Sequence, residues 1–334
     1  VDDPWLNARL TTLHACSDLW ASGARVTSVQ ALVTVPEAEP RLQEELLVQS
    51  LAGVRSVLDP LGASLIGGHT LEGRDGAGLA LALTVNGQVA PQQVWRKGPL
   101  QGGDLLLLSR PLGTGVLFAA ALAGAADASW LDGALALMQQ SQAGLVAILQ
   151  AHGCRACTDI TGFGLLGHLG EMVAAGASQP GSAWDAASRQ AMPSTPTEDA
   201  NAPFAGPPAQ PARVASAGVE LYGAAIPALA GSLELLEQGH ASSLAPSNAA
   251  ALALLDGPIE LETPLSAAQL ALLVDPQTCG PLLAALPAEQ APAALAAMRA
   301  AGFARAAVVG RVLGPMPEQG GMPLDRPGAA ANPA

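Results

Sequence analysis

The chain has 334 residues, half of them apolar but only 3% aromatic, so it is long enough for two domains whose cores are built from Ala, Leu and Val. Its 28 acidic against 15 basic residues give a net charge of −13, which repels a phosphate backbone and argues against a nucleic-acid partner. No apolar run approaches the ~18 residues of a membrane span, and four cysteines in this length make no disulfide framework, so a soluble protein of the reducing cytoplasm is expected.

Residues 8–22 place Leu10, Leu13, His14, Ser17 and Trp20 at helical spacing before Gly23, and Asp18 lies on this helix. Thr27–Val35 reads as a strand and Glu39–Leu61 as a helix ending near Gly62. Ala63–Ile66 is a short apolar strand running into a turn at Gly67-Gly68, and Gly78–Val89 alternates as a strand. The Pro/Gly stretch Lys97–Asp104 marks a domain boundary, so the mixed order of helices and strands predicts an α/β (α+β) architecture of two domains, 1–97 and 98–315.

The second part opens with the strand Asp104–Ser109 and a Pro111-Leu-Gly-Thr-Gly115 turn into a helix reaching about Ala123. A single helix is expected over Trp130–His152, then a strand Cys154–Ile160 and a helix from Thr161-Gly-Phe-Gly164 to Ala175. The Pro-, Ala- and Ser-rich text of 178–216 predicts a flexible insertion. Beyond it come Val219–Leu221, a helix around Pro227–Gly239, strands Leu270–Val274 and Leu282–Leu286, a helix Pro292–Ala301 and a strand Ala306–Val312. A disordered tail is expected over 316–334.

Four segments can carry chemistry. Gly67-Gly68-His69-Thr70 lets backbone approach a phosphate closely, although two glycines also simply make a hairpin or bulge. Asp159, at a strand end before a Gly-rich turn that Thr161 can cap, sits where a hard cation bridging to an anion needs a carboxylate; alternatively it only caps the turn. Asp18, among small and apolar neighbours, either faces solvent or is held for a metal. Asp275-Pro-Gln-Thr-Cys-Gly-Pro281 reads as a structural turn, and His69 and His168 as structural histidines. Cys154 and Cys157 form a redox or metal pair or neither, and Cys279 is a buried thiol unless a base activates it.

In this order, His14-Ala-Cys-Ser-Asp18, Gly67-Gly-His-Thr70, Lys97-Gly-Pro with Gly103-Asp104, Pro111-Leu-Gly-Thr-Gly115, Thr158-Asp-Ile-Thr-Gly-Phe-Gly-Leu-Leu-Gly-His168 and Asp275-Pro-Gln-Thr278 resemble the selenophosphate synthetase (selenide, water dikinase) family. That family is a branch of the superfamily that includes aminoimidazole ribonucleotide synthetase. The resemblance implies its two-domain fold and the synthesis of selenophosphate from ATP, selenide and water, with release of AMP and phosphate. It further implies Mg2+ on Asp18 and Asp159, nucleotide contacts from Gly67, Gly68, His69 and Asp18, and a homodimer across domain 1–97. The family's N-terminal segment, with its catalytic Cys or selenocysteine, a lysine and further aspartates, has no counterpart here, so the first domain is expected to be incomplete and the chain inactive alone. No catalytic residue is therefore assigned, and a preceding oxidoreductase domain is one form the missing part can take. The alternatives are a non-catalytic ATP-binding or dimerisation remnant and a sister-branch kinase or ligase of a small metabolite.

Overall fold

The structure, a computed structural model, describes residues 2–177 and 217–315. The expected insertion at 178–216 and the tail at 316–334 lie outside the described residues. Helix α1 (Pro4–Ala21) starts at Asp3, whose carboxylate accepts the Leu6 N–H, and stops before Gly23 at φ +75°. Strand β1 (Arg25–Val35) and helix α2 (Pro40–Leu61) follow, with Gly62 in the left-handed region closing the helix. Strands β2 (Ser64–Glu72) and β3 (Ala80–Gln88) flank β1 in a sheet of order β2-β1-β3, parallel to β2 and antiparallel to β3.

Val33 and Val35 of β1 point into a cluster with Leu47 and Leu51 of α2, whereas Leu32 on the alternate face is 41% exposed. Leu32 pairs with His69 and Ala82, so this open face also carries β2 and β3 side chains. The expected turn at Gly67-Gly68 is not one: β2 continues through it to Glu72. Instead the register slips there, Val29 facing Leu65 and Gln30 facing Gly67, which leaves Ile66 as a bulge. Gly68, at φ +147°, comes so near β1 that a Cβ would stand 1.8 Å from the Ala31 carbonyl oxygen.

The second sheet has six strands: β4 (Leu105–Leu108), β5 (Ala156–Asp159), β6 (Ala217–Leu221), β7 (Ile259–Leu261), β8 (Leu282–Leu286) and β9 (Ala307–Pro315), in the order β5-β8-β4-β9-β6-β7. All pairs are antiparallel except β6 with β7. Five consecutive buried residues in β8 mark the sheet's interior. One apolar cluster joins its inward residues Leu107, Ala284 and Leu286 to Leu13 and Trp20 of α1 and Val57 of α2. Helix α1 thus packs against both sheets, and the core runs without a break across the expected boundary at residue 97.

Three expected elements differ. The helix over Trp130–His152 is two, α4 (Ala128–Met138) and α5 (Ala143–Ala151), after the shorter α3 (Thr114–Leu122). The break is held open from outside: Arg110 donates to the carbonyls of Leu137 and Gln140, and Gln142 turns inward to donate to the Gly280 carbonyl. Leu270–Val274 belongs to a helix, Ala267–Val274, because Ser266 and Gln269 form a capping box that starts one. The helix around Pro227–Gly239 shrinks to Ser232–Glu237, since Pro227 and Leu229 exchange backbone hydrogen bonds with Leu112 instead.

Candidate functional site

Strand β5 ends at Asp159, opposite Leu282, and delivers its carboxylate to the middle of α1. There the Ser17 hydroxyl stands 2.5 Å from Asp159 Oδ2 and 2.7 Å from the His14 carbonyl oxygen, so its single proton ties the strand end to the helix. Asp18, the next residue, is exposed; partial desolvation and then the negative charge of Asp159 raise its carboxyl above the ordinary range, against His14, Lys97 and His168. The charge of Asp159 beside Asp18 is one that a cation would offset. Among the described residues no group of three or more His, Cys, Asp or Glu side chains can hold a metal ion. A hard cation on this pair would have to take its remaining ligands from water or a bound anion.

Helix α6 (Gly164–Ala177) begins five residues after Asp159. Its start needs Gly164, at φ +69° and pressed against the Val274 backbone. On α6, His168 Nε2 meets the Thr161 hydroxyl at 3.1 Å, and its Nδ1 lies 3.2 Å from Glu171 Oε2, which also pairs with Lys97 Nζ. Burial holds His168 below the usual histidine range despite Glu171 and Asp159. For Glu171, burial pushes up, but the Lys97 hydrogen bond and charge together with His168 leave its carboxyl below the usual range.

The Asp275–Pro281 turn closes the opposite wall. Gln277 Oε1 accepts from the N–H groups of Gly113 and Thr114 and from the Thr114 hydroxyl, while Gln277 Nε2 donates to Asp275 Oδ2. The turn thereby caps α3 from another part of the chain. Burial pushes the Asp275 carboxyl up to about 7, against the Val116 and Gly115 N–H groups and the Gln277 amide. Cys279 sits at φ +49°, its N–H donating to His14 Nδ1 (3.1 Å), its thiol to the Leu10 carbonyl, and its own carbonyl accepting from Arg110. A ring nitrogen that accepts carries no proton, which leaves His14 Nε2 as the available donor. Between α1 and α3 opens a cleft of about 730 Å³, lined by Leu10, His14, Thr114, Phe118, Pro276 and Thr278.

Asp18 and Asp159 are thus brought together, and Gly67, Gly68 and His69 are not brought to them. Those three lie exposed on the edge strand β2, and His69 is not among the groups acting on Asp18. None of the four cysteines is paired. Burial pushes the Cys16 and Cys279 thiols up to about 12, and Cys157 is raised by the Cys154 thiol beside it and by burial, so none of these three is an activated nucleophile. The Lys97–Glu171–His168 chain and Arg110 escaped the sequence reading. Glu171 and His168, three apart on one helix, were the available signal for the first; a lone arginine after a strand offers none.

The family model described as "AIR synthase related protein, N-terminal domain" matches residues 1–89, and its C-terminal counterpart matches residues 101–187. The "Selenide, water dikinase" of Geobacter metallireducens is 37% identical over 175 residues, 52% of this chain; the chain spans about half (49%) of that relative's length. The protein of the same name from Burkholderia ambifaria is 31% identical over 313 residues, 94% of this chain and 75% of that one. Among solved structures, the hydrogenase maturation protein HypE superposes with a TM-score of 0.59 at 17% identity, over 92% of this chain and 74% of that chain. The thiamine-monophosphate kinase of Stenotrophomonas maltophilia superposes with 0.58 at 19%, over 93% and 77%. These two share the fold. On the sequence matches, carried across both sheets, the chain belongs to the selenide, water dikinase family of AIR synthase related proteins.

Proposed function

We propose that this chain carries the Mg-ATP site of a selenide, water dikinase, which converts ATP, selenide and water to selenophosphate, AMP and phosphate. The observation that supports it most is that Asp18 and Asp159, each from one of the family's motifs, lie close enough for the charge of Asp159 to act on Asp18. Magnesium, when bound, supplies positive charge to bridging phosphate oxygens and neutralises charge that develops during phosphoryl transfer. Ser17 orients the Asp159 carboxylate toward α1. His14 presents its Nε2–H as a donor fixed by the Cys279 N–H. The first turn of α6 adds backbone donors beyond Asp159.

The Gly67-Gly68-His69 segment of β2 serves the nucleotide of a second copy of the chain in this reading. It lies on the exposed face shared with Leu32 and Leu71, both 41% exposed, and a homodimer that stacks two such faces covers them. HypE has been solved in complex with ATP on the same fold, which is consistent with a nucleotide site here.

Calorimetric titration of the 334-residue chain with Mg-ATP tests the reading. Binding in the wild type that Asp159→Asn weakens at least tenfold is expected. Equal affinity in the variant removes the metal assignment, and no binding in the wild type leaves a structural remnant. Selenide-dependent formation of AMP by the chain joined to a family N-terminal segment tests the reaction itself.

A further inference from the structure

We infer that Lys97, the sole lysine of the chain, is the cation that meets the nucleotide's phosphates at the Asp18–Asp159 pair, with Glu171 as the counter-ion that parks it beside the site. The inference rests on the Mg-ATP reading and names a binding residue for it.

Position is the first argument. Arg96 forms a parallel bridge with Ala156, and its carbonyl accepts the Cys157 N–H at 3.1 Å. Lys97 therefore runs alongside the last residues of β5, in the direction that ends at Asp159. Its ammonium reaches Glu171 on α6, the helix that begins just past Asp159, and its charge acts on Asp18.

The charges around the pair are the second. Three groups pull the Asp18 carboxyl down: His14, Lys97 and His168. His14 already accepts the Cys279 N–H at Nδ1, and burial keeps His168 toward its neutral form. Of the three, Lys97 is the only one that brings a flexible primary ammonium rather than an imidazole.

The third is that its present partner does not commit it. Lys97 and Glu171 are 46% and 41% exposed, and an ion pair so wetted contributes little to folding. A four-carbon stem lets the ammonium swing without backbone movement. A triphosphate offers it several anionic oxygens in place of one carboxylate, so exchange is favourable once the nucleotide is seated. His168 Nδ1 lies 3.2 Å from the same carboxylate on its other side.

This arrangement makes the two partners act with opposite signs, which a merely structural ion pair does not. In Mg-ATP titrations of the full chain, Lys97→Met weakens binding by about tenfold, and Lys97→Arg stays within about threefold of the wild type. Glu171→Gln, which frees the lysine, tightens binding by about threefold, and the Lys97→Met variant shows a shallower dependence of affinity on salt. Thermal unfolding of each variant reports its fold. Lys97→Met and Glu171→Gln moving affinity in the same direction, or neither moving it while Asp159→Asn abolishes binding, overturns the role of Lys97 and leaves the nucleotide site standing. Absence of Mg-ATP binding in the wild type overturns both.

Discussion

Replacing Arg110 by Met tests whether the wall formed by the Asp275–Pro281 turn is held from beneath. The guanidinium is 3% exposed and donates to the carbonyls of Leu137 (3.0 Å), Gln140 (3.0 Å) and Cys279 (3.2 Å). Hydrogen bonds from a charged donor contribute about 1.5–3 kcal/mol each, so three amount to about 5–9 kcal/mol. Burying the charge works the other way: it pulls the arginine from 12.5 to about 10. At about 1.4 kcal/mol per unit, that costs on the order of 3 kcal/mol. The difference predicts a loss of about 4 kcal/mol in Arg110→Met, which lowers the melting midpoint of a chain this size by on the order of 10 °C. Arg110→Lys keeps the charge without the planar fork and falls between. Thermal and urea unfolding followed by tryptophan fluorescence measure both. A loss below about 1 kcal/mol in the methionine variant refutes the reasoning, because three buried carbonyls would then have lost their donor at no cost.

Gly68→Ala places a methyl 1.8 Å from the Ala31 oxygen in a left-handed backbone region, so β2 separates from β1; a drop of at least about 3 kcal/mol in unfolding free energy is expected. Asp275 has a folded-state carboxyl at about 7 against 3.8 for the free group. The stability it supplies is therefore complete below about pH 4 and is lost as pH rises through about 7, on the order of 4 kcal/mol, and Asp275→Asn flattens this slope in midpoints measured from pH 4 to 8. Asp18 is raised in the same direction, by burial and then Asp159, so it too loses stability as pH rises above its unfolded value. Magnesium with ATP raises the melting midpoint at about pH 8, and EDTA reverses the gain.

Much of this was legible before any coordinates. Gly23 ends α1, whose start was expected at residue 8 and lies at Pro4, Gly62 ends α2, and β1 and β8 lie within two residues of their expected limits, because caps and periodicity act locally. Asp18 and Asp159 were legible as motif residues, but their approach depends on tertiary packing. Where the reading failed, a distant partner or an overlooked local signal decided. Leu270–Val274 is a short apolar run that fits a strand or a buried helix equally, and only the Ser266-x-x-Gln269 cap separates them. The gap between α4 and α5 has no Gly or Pro to announce it; Arg110 and Gln142 impose it through bonds to residues far along the chain. The Gly67-Gly68 pair was expected to turn the chain, and Gly68 instead lets two strands come too close for a side chain.

The contact between Ser17 and Asp159 spans 142 residues, and that between His14 and Cys279 spans 265. Closing loops of that length sacrifices chain entropy that no local helix or hairpin repays, so these contacts exist only once both sheets and α1 are assembled. Neither carboxylate can be transplanted with its motif: a fragment bearing one of them has half a metal site. Affinity for Mg-ATP thereby becomes a gauge of the complete tertiary structure, failing as soon as α1 lifts from β5 even while every helix and strand persists.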